Sequence, residues 1–149
     1  MKKSKKFIWL FLILIFVVIQ FFPIDKTNPL YNPDDDFITI ENPPEHIVAI
    51  MKDACYDCHS QQTEYPWYTN IQPVGWWIRG HFKNGRKALN FSQWRQYNEE
   101  DKPLGLAEMA DQVEATKMPL LTYWIMHPEA KLSEEQRSDL VAYFKKRSK

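Results

Sequence analysis

The residues best suited to chemistry stand together in Cys55-Tyr56-Asp57-Cys58-His59, a C-x-x-C-H pentad. This pattern points to covalent attachment of a c-type haem. Two thiols at this spacing match the two vinyl groups on one porphyrin edge, and the adjacent imidazole meets the iron from one face as proximal ligand. The same cysteines admit three other readings. A redox dithiol would follow a strand in a βαβ unit. A zinc site would need a fourth ligand and would have to fit adjacent Cys58 and His59 around one tetrahedral ion. A local disulfide would close a short loop and stabilise little.

A second axial ligand can come from Met, from His or from neither. Met118 is the expected one. It follows His59 by 59 residues, far enough for a helical wrap to return to the opposite face of the cofactor. Pro119 disfavours helix at Met118 and removes a donor, so this methionine belongs in a loop. Met51 and Met109 fall on apolar helix faces and read as core. His81 is the rival ligand, with Met126 and His127 behind it, and His46 reads as exposed. Trp67, Tyr68, Trp76, Trp77, Tyr123 and Trp124 are candidates for packing on the macrocycle edge or bonding its propionates, and Arg79 and Arg86 for pairing with them.

The elements that must position these groups are helical. Asn42-Pro43-Pro44-Glu45 predicts a helix start capped by Asn42, and Ile47, Ile50, Met51 and Ala54 form one face leading into Cys55. A second helix opens at Pro73 and is expected to end at Gly85. Ser92 caps a short third helix carrying Trp94. Leu106, Met109, Ala110 and Val113 line a fourth, after the breakers Pro103 and Gly105. Ser133-Glu134-Glu135-Gln136 is a capping box opening a last helix, with Leu140, Val141 and Phe144 inward and a basic end. No strand-length alternation and no internal repeat stands out, so the fold class is all-α.

The chain of 149 residues has room for one modest domain and an anchor. Aromatic residues make up 15%, enough to line a core or a flat cofactor. Formal charge is zero, yet residues 1–22 hold Lys2, Lys3, Lys5 and Lys6 and no acid, leaving 15 basic and 19 acidic residues in 23–149. A remainder near −4 lacks the clustered cations that nucleic acid requires.

Phe7 to Phe22 is an apolar run broken only by Gln20, preceded by lysines and stopped by Pro23. It reads as a membrane-targeting segment, and with no small-x-small pair after it, as an uncleaved anchor. The lysines place the N-terminus in the cytoplasm and the remainder across the inner membrane, on the periplasmic side. Residues 1–24 are therefore the membrane anchor or signal segment. Residues 25–44, with Pro29, Pro33, Pro43 and Pro44, form an extended tether, and 45–149 the helical domain.

Beyond the pentad, several stretches occur in one order: Glu64-Tyr65-Pro66-Trp67-Tyr68, Asn70-Ile71-Gln72-Pro73-Val74-Gly75-Trp76-Trp77, Gly85-Arg86-Lys87-Ala88-Leu89-Asn90-Phe91-Ser92, Lys117-Met118-Pro119-Leu120, and His127-Pro128-Glu129-Ala130-Lys131-Leu132-Ser133. In these the chain resembles the haem-binding domain family of periplasmic c-type cytochromes, over about residues 40–147. The resemblance implies a cytochrome c-like helical fold around one haem c, attached at Cys55 and Cys58 and ligated by His59 and Met118. Position 120 is Leu where the family often has a second Pro, which leaves a less rigid loop. The expected function is single-electron carriage on the periplasmic side between membrane or periplasmic redox partners, with no substrate bond changed and so no enzyme activity. A haem-based sensor or small-ligand binder, and a peroxidase with His81 as its distal group, are the alternatives.

Overall fold

The computed structural model describes the backbone of residues 2–149 and the side chains from Lys5 onward; the side chains of Lys2 and Lys3, part of the basic flank, lie outside the described set. Helix α1 (Lys2–Ile19) is followed by an extended segment, a 3-10 turn at Pro33–Asp35 and the short α2 (Phe37–Glu41). Then come α3 (Glu45–Met51), a π-helical turn over Lys52–Tyr56, α4 (Asp57–His59), α5 (Val74–Ala88), α6 (Lys102–Glu114), α7 (Leu121–Trp124) and α8 (Glu134–Arg147), with further 3-10 turns at Trp67–Asn70, Phe91–Gln96 and Pro128–Ala130. Among the described residues there is no strand, as the missing alternation predicts.

The apolar periods meet where expected. Ile47, Ile50, Met51 and Ala54 are buried along the helix that enters the pentad, and Leu106, Met109, Ala110 and Val113 of α6 pack with Leu140, Val141 and Phe144 of α8 in one core. The capping box at Ser133 forms in both directions, with Ser133 Oγ accepting from Gln136 N and Gln136 Oε1 accepting from Ser133 N.

Helix boundaries differ from expectation at four places, each for a local reason. Asn42 closes α2 in the left-handed conformation (φ 44°), and α3 starts after Pro44. Asn90, whose Oδ1 accepts from Ser92 N, caps the 3-10 segment that holds Trp94, which frees the Ser92 hydroxyl for longer-range work. Pro103 and Gly105 lie inside the first turns of α6, where a proline has no intrahelical donor to lose. Helix α5 runs through Gly85 to Ala88.

The largest correction concerns the tether. Residues 33–44 are part of the helical body: Phe37 is fully buried, with its ring edge-on to Trp94 (4.9 Å), Phe91 (5.3 Å) and Phe144 (6.4 Å). An aromatic ring surrounded this way contributes burial and edge-to-face attraction, which outweigh the stiffness of the flanking prolines. Glu41 accepts from the Trp94 indole N–H at 2.8 Å and pairs with Arg147 of α8, tying the same segment to the far end of the chain.

The segment after α1 is docked as well. Gln20 and Gln72 exchange hydrogen bonds, side-chain amide to backbone carbonyl at 3.0 Å and backbone N–H to side-chain oxygen at 2.9 Å. Asn28 donates to the Thr63 carbonyl, and the Trp76 indole N–H donates to the Phe22 carbonyl. By contrast, α1 packs on nothing between Phe7 and Val18, where the least exposed side chain, Ile15, is 42% exposed. The apolar part of α1 ends at Ile19, and at 1.5 Å per residue its rise from Phe7 is about 20 Å. Among the described residues no helix is long and apolar enough to cross a membrane, so the spanning anchor expected over 1–24 finds no support in the helix itself.

Candidate functional site

The pentad begins inside the π-helical turn. Cys55 occupies its fourth position, and Cys58 and His59 follow in the single turn of α4. A π turn inserts one extra residue and rotates the helix face beyond it, a device frequent at functional sites. Here it separates the buried face of Ile50, Met51 and Ala54 from the half-buried thiols.

Three contacts fix this turn against its surroundings. Tyr56, between the two cysteines, stacks on Phe91 (5.1 Å, 12°) and donates its hydroxyl to Asp36 Oδ1 at 2.7 Å. Asp36 is buried without a cation and is satisfied by donors alone: Tyr56 Oη, the Gln62 amide at 2.9 Å, the Ser92 hydroxyl at 3.3 Å and the Ile38 N–H at 3.0 Å. On the other side, α5 passes so close that the backbone of Gly85 abuts Cys58; a Cβ there would stand 2.5 Å from the Cys58 carbonyl oxygen. The glycine read as a helix end is thus a helix crossing point.

His59 is oriented by the chain after α5. Its Nδ1 lies 3.2 Å from the Leu89 carbonyl oxygen, an atom that only accepts. Nδ1 therefore carries the proton and Nε2 keeps its lone pair, the arrangement that prepares an imidazole for iron. Burial holds the His59 pKa below the usual imidazole value, against the opposing pull of the Leu89 and Gly85 carbonyls, and this favours the neutral ligand form. Burial likewise pushes both thiols up to about 12; the neighbouring cysteine adds to this at Cys55, while at Cys58 Asp57 adds to it and Arg86 opposes it. Both cysteines are unbridged, and among the described residues no group of three or more His, Cys, Asp or Glu could hold a bare metal ion.

Two adjoining cavities open beside these groups. One, of about 220 Å³, is bounded by Cys55, His59, Leu89, Met109, Val113 and Met118; the other, of about 210 Å³, by Cys58, His59, His81, Ala88, Met118 and Leu120. Both are largely apolar. His59 and Met118 border both, so residues far apart in sequence are brought to one space. Met118 reaches it from the loop after α6, where Met118 N–H and Lys117 N–H both donate to the Gln112 carbonyl and Thr116 is left-handed (φ 56°). His81 stands at the rim of the second cavity, with Nδ1 3.0 Å from the Trp77 carbonyl oxygen.

Other residues singled out in the sequence have different places. Arg86 is engaged internally, donating to the Ser60 carbonyl at 2.6 Å and to Thr63 and Asn28, so it is not held toward an open edge. His127 lies away from the two cavities in a polar cluster: Nε2 is 2.6 Å from Tyr68 Oη, Nδ1 is 3.0 Å from Glu129, and its ring stacks on Tyr123. Tyr123 in turn donates to Asp57 at 2.7 Å, bracing the pentad from outside. Met126 is half exposed and His46 is exposed. Asp36 and the Leu89 carbonyl were not legible as site residues. Aspartate within a proline-rich stretch, and a backbone oxygen, carry no local pattern.

The donor set suits a porphyrin better than a bare metal. It offers two unbridged thiols three positions apart, one imidazole whose Nδ1 is engaged by a carbonyl, a thioether lining the same two cavities and largely apolar walls, the kinds of group that hold a haem. No curated protein and no solved structure matches the chain. A family model described as a haem-binding domain matches residues 14–146, which takes in the docked segment after α1 as well as the helical body. The chain belongs to the haem-binding domain family.

Proposed function

We propose that this protein is a mono-haem c-type cytochrome that carries single electrons on the periplasmic side of the inner membrane. The observation that carries the reading is that His59, with Nδ1 tied to the Leu89 carbonyl, and Met118 line the same two cavities, one bordered by Cys55 and the other by Cys58. Cys55 and Cys58 would hold the haem by thioether bonds, His59 Nε2 would be the proximal ligand and Met118 the distal one. When bound, the haem iron supplies a ferric/ferrous couple whose potential a thioether ligand raises relative to a second imidazole. The residues of this chain then do three things: they hold the imidazole in one tautomer, they line the cavities with largely apolar surface, and they fix the Met118 loop to the end of α6.

The apolar stretch of α1, exposed on every side, supports attachment to a membrane, with the lysine flank in the cytoplasm. In this reading the protein passes single electrons between redox partners on or beside that membrane and changes no substrate bond. A second reading, a small-ligand-binding or peroxidase-like haem protein, draws on His81, whose ring borders the same cavity as Met118.

The test is maturation beside a cytochrome c assembly system, followed by mass spectrometry after denaturation. The expected result is a chain heavier by one haem that retains residues 1–22, whereas a haem-free chain would sink the proposal. Replacing Met118→Ala should abolish the low-spin optical signature of methionine-bound ferric haem and lower the potential. An unchanged spectrum in M118A, lost instead in His81→Ala, would transfer the distal role to His81.

A further inference from the structure

The surface that runs from the end of α1 along the first half of α5 is unlike the remainder of the domain. Phe21 and Phe22 are exposed, and the Phe22 carbonyl accepts from the Trp76 indole N–H at 2.9 Å. Trp67 is 70% and Trp77 52% exposed, and both line an apolar groove of about 380 Å³ with Ile71, Val74 and Met126, to which Cys58 also contributes. Contiguous exposed aromatic and aliphatic surface of this kind marks a contact site.

Charge identifies what it contacts. From Tyr65 to Asn98 there is no Asp or Glu, while Arg79, Lys83, Arg86, Lys87 and Arg95 are all cationic. Arg86 is turned inward and Arg95 pairs with Asp35, whereas Arg79, which has the exposed Asp25 carboxylate nearby, Lys83 and Lys87 are exposed and recur every fourth residue as one stripe of α5. Tryptophans beside a basic stripe on an amphipathic helix suit the headgroup layer of an anionic bilayer, where indole rings settle at the boundary between apolar and wet regions. A second copy of the chain would set two basic stripes against each other, and an acidic protein would leave the tryptophans without apolar cover.

Geometry relative to α1 agrees. The reciprocal Gln20–Gln72 hydrogen bonds and the Trp76–Phe22 bond attach the start of α5 to the end of α1, so this face lies where an apolar helix would leave the bilayer. An apolar helix of about 20 Å is short for a hydrocarbon core of about 30 Å, so a contact at the membrane surface would add to its hold.

We propose that the face carrying Trp67, Trp76 and Trp77, flanked by Arg79, Lys83 and Lys87, seats on anionic phospholipid, so that the Cys58 side of the site faces the membrane surface. This rests on the membrane-attached reading of α1 given above, and the test separates the two. Full-length, haem-loaded protein is placed in nanodiscs of phosphatidylglycerol, and side-chain oxidation after X-ray-generated hydroxyl radicals is read by mass spectrometry. Trp67 and Trp77 should lose reactivity to the level of buried Trp94, while Leu104, 72% exposed on α6, stays reactive. Each cation near an anionic surface favours contact about fivefold, so the triple variant R79E, K83E, K87E weakens seating more than about a hundredfold. In that variant Trp67 and Trp77 should regain full reactivity although the protein remains in the disc.

Oxidation of Trp67 and Trp77 at the Leu104 rate in wild-type protein that co-purifies with the discs would overturn the seating and leave the attachment of α1 standing. Protein that does not co-purify with the discs would overturn both. Protection that survives the triple variant and grows with the number of chains per disc would assign the face to a second copy instead.

Discussion

Replacing Gly85→Ala, with Gly80→Ala in the same helix as its partner, tests how the attachment turn is held. Both substitutions replace glycine in the interior of α5, so each gains about 0.8–1.0 kcal/mol of helix propensity, and that gain cancels when the two are compared. What differs is the space. A Cβ at Gly80 meets nothing within 4 Å, whereas at Gly85 it would lie 2.5 Å from the Cys58 carbonyl oxygen, 3.1 Å from its carbonyl carbon and 3.2 Å from its Cβ. Ordinary contact begins at 3.4 Å. Nearly an ångström must therefore be recovered by backbone that cannot rotate out of the way, because Cys58 is held by its own helical turn and by the neighbouring Tyr56–Asp36 bond. Overpacking of this order costs about 1–3 kcal/mol, and the rigidity of the partner places this case toward the upper end. In urea denaturation followed by circular dichroism, G80A should be more stable than wild type by up to about 1 kcal/mol, and G85A should lie below G80A by about 2–3 kcal/mol. For a chain of this size each kcal/mol is about 2–4 °C in Tm, so heating should rank the three proteins in the same order. G85A should also yield less haem-loaded protein, since the displaced atoms belong to an attachment residue. Equal stability of G85A and G80A would refute the close passage of α5 over Cys58.

Two further outcomes follow from the same site. Asp36→Ala removes the shared acceptor of Tyr56, Gln62 and Ser92 and leaves buried donors unpaired, a loss of about 3–5 kcal/mol of unfolding free energy, read from a lower urea midpoint at unchanged slope; a loss under about 1 kcal/mol would show that the clasp is not formed. In haem-free protein made without the assembly system, moving each thiol from 9.0 to about 12 lowers its thiolate fraction at pH 8 roughly 1000-fold, so iodoacetamide should label the folded chain far more slowly than the chain in urea. The sign carries over to stability. The unfolded thiols ionise from pH 9 and the folded ones only near 12, so this contribution to the apo fold is complete below pH 9 and is lost as pH rises across that interval. Labelling at equal rates in both states would contradict the burial of the pair.

The helical faces at Ile47–Ala54 and Leu106–Val113, the capping box at Ser133 and the loop at Met118 could all be read along the chain, because each rests on interactions within a turn or two of backbone. The resemblance drawn from ordered motifs likewise needed no coordinates, since residue types in sequence carry it. Other features depend on which surfaces meet. Phe37 looked like part of a tether because prolines and aspartates surround it, yet the hole among Phe91, Trp94 and Phe144 that it fills exists only once distant helices pack. Gly85 has the composition of a helix end, and its use as a crossing point appears only when Cys58 is placed against it. The tautomer of His59 is set by a carbonyl thirty residues away, an acceptor every residue possesses and no side chain announces. Local patterns record turn-scale energetics, whereas long-range hydrogen bonds and close contacts arise from the packing that those patterns permit but do not specify.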